Sequence, residues 1–70
     1  MPPTGITNHI RQLRFAHGEM TQQQLADAVG ATRQTIIAIE SGKYAPSLEL
    51  AFRIARIFGL GVDDVFDYGP

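Results

Sequence analysis

The stretch ATRQTIIAIESGKY, Ala31 to Tyr44, decides how this chain is read. Wound as a helix at about 100° per residue, it puts Ile36 and Ile39 on one face and Ile37 and Ala38 on the other. A helix of a small globular domain normally buries one stripe and gives the opposite one charge. Here the outward side reads Gln34, Ile37, Ala38 and Ser41, flanked by Arg33 and Thr35, and holds no lysine or carboxylate. Amide, guanidinium and methyl groups left together in water suit a surface that touches something.

Working outward, Thr32 is the N-cap of this helix and Gly42 its stop. Upstream, Thr21 caps QQQLADAV and Gly30 ends it, so that Gln22 to Ser41 reads as helix, tight turn, helix. Leu25, Val29, Ala31, Ile36 and Ile39 are spaced to share one core, and Ala26 is small enough for two helices to cross closely. A turn at Gly30 asks for positive φ, which costs a residue with a Cβ roughly 1 kcal/mol or more. This is helix-turn-helix patterning.

Three more helices are predicted. Ile6, Ile10, Leu13 and Phe15 give a first one from about Ile6 to His17, stopped by Gly18. Ser47 caps LELAFRIARIF, with Glu49 at the positive end of its dipole. Val62 to about Phe66 forms a short last turn opened by two aspartates. Phe52, Phe58 and Phe66 read as core. With no strand alternation, the expected fold is all-α: five short helices in a single 70-residue domain, structured over about residues 6–66. The arms, residues 1–5 and 67–70, are left open between strand and disorder.

Composition bounds the function. An apolar share of 44% with 19% charged is globular rather than disordered. A chain of this size buries only ~60% of its unfolded surface, which favours pairing. There is no cysteine, so no disulfide and no thiolate metal site, and no run long enough for a signal peptide or a membrane span. The expected location is the cytoplasm. The net charge is −1, but Asp63, Asp64 and Asp67 crowd the end, and up to Gly61 six basic residues face only Glu19, Asp27, Glu40 and Glu49, which leaves +2. His9 and His17 have no third ligand for zinc, and no Ser, His and Asp are arranged for nucleophilic work. Neither an enzyme nor a cofactor is expected.

The segment TQQQLADAVGATRQTIIAIESGKYAPSLELAFRIARIFG resembles the DNA-binding domain of the Cro and phage-repressor (xenobiotic-response-element) type, in its small single-domain subgroup. The likeness runs from about Ile6 to Phe66. It implies a lambda-repressor-like fold with the helix-turn-helix at its centre, the second helix of the motif in the major groove and the first bridging the backbone. It further implies Arg33, Gln34 and Ala38 at base edges, Gln22, Thr32, Ser41, Lys43 and Tyr44 at phosphates, and an ion pair between Arg14 and Glu40. One departure is the turn HGEMTQ, a residue longer than the usual form, with Glu19 as the extra one.

The residues themselves are chemically suited to these tasks. Arginine can bind guanine O6 and N7 through two hydrogen bonds, and glutamine adenine N6 and N7. Ile37 and Ala38 can meet thymine methyls, although Ile37 could equally pack beneath the loop of residues 43–47, and Arg33 could be a solvated flank residue. The partner expected is double-stranded DNA, bound by a homodimer, with repression as the outcome and no small-molecule effector. Leu60, Val62 and Val65 are the apolar residues available for the pairing. The alternative is an antitoxin-like or adaptor module that binds a protein, which the low net charge favours slightly.

Overall fold

The computed structural model describes residues 4–69. Its elements run β1 (Ile6–Asn8), α1 (Ile10–Ala16), α2 (Gln22–Val29), α3 (Arg33–Glu40), α4 (Leu48–Ile57), α5 (Val62–Val65) and β2 (Phe66–Tyr68). The five helices stand near their expected bounds except at the start of the first. Residues 6–8 form a strand rather than the first turn of α1, and β1 pairs antiparallel with β2 in the register Ile6 to Tyr68, Thr7 to Asp67 and Asn8 to Phe66.

Asn8 explains the correction. Its side-chain oxygen accepts from the Ile10 N–H at 3.1 Å, a local turn that competes with helix, while its amide donates to the Ile39 carbonyl at 2.9 Å. The Val65 carbonyl accepts from the His9 N–H at 2.9 Å, and a His9–Asp67 side-chain contact at 2.7 Å reinforces the pairing. The chain thus joins its two ends through a small sheet on an otherwise helical fold.

Ile10, Leu25, Ala26, Ile36, Ile39 and Ile54 are wholly or almost wholly buried, with Val29, Ala51, Ala55, Phe58, Val65 and Phe66 completing the core. Ala26 supplies the small side chain that lets α2 pack closely. Phe52, read above as core, is instead about half exposed, one turn from the exposed Leu48 on the same face of α4.

Three helices end in one way. At the end of α2 the Ala31 N–H reaches back five residues to the Ala26 carbonyl at 2.9 Å, across Gly30 at φ 73°. Lys43 to Ala38 and Leu60 to Ala55 close α3 and α4 with the same span. After α1 the matching bond, Met20 N–H to the Arg14 carbonyl, spans six residues, and both Gly18 (φ 71°) and Glu19 (φ 56°) are left-handed. The longer HGEMTQ turn is accommodated here, by the wider span and the second left-handed residue.

Candidate nucleic-acid interface

Two well-formed caps fix the helix-turn-helix. Thr21 Oγ1 accepts from the Gln24 N–H at 3.0 Å, while Gln24 Oε1 accepts from the Thr21 N–H at 2.8 Å, a reciprocal capping box. Thr32 Oγ1 accepts from the Thr35 N–H at 3.2 Å and lies 3.0 Å from the Thr35 hydroxyl. With Ile36 and Ile39 buried against α2, the opposite side of α3 is held outward.

On that side Arg33 and Gln34 are exposed, Ile37 and Ala38 are half-buried, and Ser41 is exposed at the helix end. Among the described residues no carboxylate lies within ion-pair distance of Arg33, so its guanidinium is unengaged by carboxylate. Ile37 borders an open depression of about 410 Å³ beside Gln22 and Ser41. The residues expected at phosphates are in different states of readiness. Lys43 and Tyr44 are exposed after the turn. The Ser41 hydroxyl donates to the Ala38 carbonyl at 3.0 Å and must rotate to reach a ligand. Gln22 is half-buried and donates one amide hydrogen to Glu40 Oε1 at 3.3 Å, which leaves its second hydrogen for an anion.

Behind this surface, Arg14 Nε donates to Glu40 Oε2 at 2.7 Å and its NH2 group donates to Glu40 Oε1 at 3.1 Å. The third guanidinium nitrogen donates to the Met20 carbonyl at 2.7 Å. Arg14 therefore ties α1 to the end of α3 and to the turn before α2, and its planar fork meets the carboxylate bidentately. Both side chains are nearly buried. Gln22 joins the same carboxylate, so one charged cluster fixes the relative placement of all three helices. The Asn8 link to Ile39 and the Gln22 link to Glu40 were not evident in the sequence, since each joins positions 18 or more apart without a local pattern.

The expected pairing residues divide. Leu60 is exposed and Val62 is half-buried, but Val65 is wholly buried against the core and has no surface to offer a partner. Val65 is therefore withdrawn from the interface. A four-residue helix shows too little periodicity for the sequence to tell its inner face from its outer one.

Glu19 combines a left-handed backbone with a place on the border of a second open depression of about 590 Å³, which Arg11 and Arg33 also line. Replacing it by glycine is expected to stabilise the fold by up to about 1 kcal/mol through relief at positive φ. Removal of the negative charge is also expected to tighten duplex binding. Urea denaturation of Glu19→Gly beside the wild type checks the first effect, and equal midpoints would refute it.

A capped helix-turn-helix whose second helix turns an arginine, an amide and apolar side chains outward is the geometry of a DNA-binding domain. A helix-turn-helix family model matches residues 10–65. The chain is 52% identical over 63 residues to an uncharacterized HTH-type transcriptional regulator of Methanocaldococcus jannaschii, covering 90% of this chain and 94% of that one. It is 27% identical over 60 residues to the cryptic phage CTXphi transcriptional repressor RstR of Vibrio cholerae, covering 86% of this chain and 53% of the repressor. Among solved structures, a Bacteroides fragilis protein superposes with a TM-score of 0.74 at 24% identity, covering 89% of this chain and 98% of its own. The Corynebacterium glutamicum clp gene regulator ClgR gives 0.69 at 27% identity, over 79% of this chain and 57% of ClgR. The chain belongs to the Cro/C1-type helix-turn-helix family of DNA-binding transcriptional regulators.

Proposed function

We propose that this regulator is a repressor that binds a palindromic operator as a homodimer, with α3 in the major groove of each half-site. The observation that carries the reading is the outward side of α3. Arg33 and Gln34 stand exposed near its N-terminal end, and Ile37 and Ala38 follow with apolar surface only partly covered. Arg33 and Gln34 read base edges through paired hydrogen bonds, and the two apolar residues fit thymine methyls. Gln22, Thr32, Ser41, Lys43 and Tyr44 hold the backbone on either side, which fixes register without specifying sequence. The 70 residues act as one DNA-binding domain in the cytoplasm, without cofactor or effector. Repression is supported by the likeness to RstR.

The length of the recognition helix supports a dimer. One recognition helix contacts only about 4–5 base pairs, so specificity in a genome calls for two half-sites about one helical turn apart. Leu60 and Val62 supply apolar surface for the pairing. To them the structure adds Leu48, 71% exposed, at the rim of an almost wholly apolar depression of about 250 Å³ shared with Val62 and Pro46. Covering this surface in a dimer would remove it from water.

Selection of bound duplexes from a random pool tests the reading, combined with sedimentation at micromolar concentration. A palindrome with half-sites ~10–11 base pairs apart and a sedimenting dimer are expected. If each subunit neutralises about 3–4 phosphates, log K against log[salt] falls with a slope of about −5 to −7. A monomer, or a slope near zero, would overturn this mode of binding. No consensus at any salt would favour the adaptor reading, which the net charge of −1 already suits better than a strong nucleic-acid binder.

A further inference from the structure

The two open depressions that border α3 meet at one exposed side chain of α1, Arg11. It lines the larger one together with Arg33 and the smaller one together with Gln22, Ile37 and Ser41. Among the described residues no carboxylate lies within ion-pair distance of it: His9 pairs with Asp67, Arg14 with Glu40 and Arg53 with Glu49. Its guanidinium carbon lies 5.6 Å from the centre of the half-exposed Phe15 ring, one turn along α1. The same ring has Arg14 at 5.5 Å. A ring so placed restrains a long side chain that water alone would leave mobile, and leaves its N–H groups free to donate.

We propose that Arg11 is a phosphate-binding residue, taking a backbone phosphodiester of the duplex along the α1 side of the groove that holds α3. The proposal rests on the DNA-binding reading of that helix and adds a contact from outside the helix-turn-helix. Charge on this wall supports it. The larger depression is bordered by Arg11, Arg14 and Arg33 against Glu19 and Glu40, and Arg14 and Glu40 neutralise each other. Arg11 and Arg33 are thus opposed only by Glu19, on a chain whose net charge is −1. A strand of DNA whose major groove receives Ile37 and Gln34 has its phosphates beside this wall, and the free donors on its α1 side are those of Arg11. A phosphate contact positions the protein and carries no base preference of its own.

Salt titration of a selected duplex distinguishes this role. Arg11→Ala is expected to flatten the slope of log K against log[salt] by about 1 for each bound subunit. It should weaken binding about tenfold for each bound subunit at moderate salt, as befits one lost charge-assisted hydrogen bond apiece. The base preferences recovered by selection should stay those of the wild type. Arg11→Lys should keep most of the slope and Arg11→Gln should lose it. Thermal melting of each variant, expected within a few degrees of wild type for an exposed position, separates lost contact from lost fold. A wild-type slope in both Arg11→Ala and Arg11→Gln would overturn the proposal while leaving DNA binding intact. Failure of the wild-type protein to bind any duplex would overturn both.

Discussion

The Glu40→Ala variant is expected to lose about 3 kcal/mol of stability and to melt about 12–24 °C below the wild type. The reason is asymmetry. The carboxylate accepts from Arg14 at 2.7 and 3.1 Å and from Gln22 at 3.3 Å, in a site where both charged side chains are nearly buried. Removing it leaves a guanidinium that cannot lose its proton, held away from water with the Met20 carbonyl as its remaining partner. A 70-residue domain has only about 4–10 kcal/mol in total, so the loss is a large fraction of it. Replacing both members by apolar residues, Arg14→Met with Glu40→Leu, should recover most of the deficit, because neither charge is then left unpaired. Circular-dichroism melts of the three proteins decide the matter. A single variant melting within about 3 °C of wild type would show that water reaches Arg14 and that the cluster is not structural.

That cluster also shows what the sequence could and could not reveal. Arg14 and Glu40 were matched through a family likeness, and no local spacing joins residues 26 apart. The helices α2, α3 and α4 were legible because caps at Thr21, Thr32 and Ser47 and glycines at Gly30, Gly42 and Gly59 bracket periodic apolar runs. The strand β1 was not. Ile6 stands four residues before Ile10 and so fits a helix as well as a strand, and its partner Tyr68 lies at the far end of the chain. Only the side chain of Asn8, bonding locally and to Ile39, breaks the tie, and its bonds are visible only in three dimensions. Phe52 misled for a related reason. Aromatics are usually buried, but its position on α4 faces outward with Leu48, and helical phase prevails over residue type. The outward side of α3 is easier to read, since beyond Arg33 it lacks the lysines and carboxylates that a solvated helix normally carries. Arg11 offered no such contrast, because one arginine on an exposed helix is ordinary until its two neighbouring depressions are seen.

The strongest effect on binding is expected at the exposed end of α3. Gln34→Ala should leave melting unchanged, since the side chain is exposed and its backbone stays helical. It should nonetheless cost about 1–3 kcal/mol of discrimination at each half-site, the worth of a good paired contact to a base. Two half-sites double that, so preference for the operator over a scrambled duplex should fall roughly 30-fold to 10⁴-fold if the sites add. The salt slope should stay where it is, because glutamine releases no counterion, whereas Arg33→Ala also removes a positive charge and is the less clean probe. The informative measurement is therefore competition between operator and scrambled duplex, run for Gln34→Ala and Arg11→Ala in parallel at two salt concentrations. Base reading by α3 predicts that the first variant loses the contrast and keeps the slope, and phosphate binding by Arg11 predicts that the second keeps the contrast and flattens the slope by about 1 for each bound subunit. Undiminished contrast in Gln34→Ala would place base recognition elsewhere on the protein, because an exposed side chain that is removed without consequence was reading nothing.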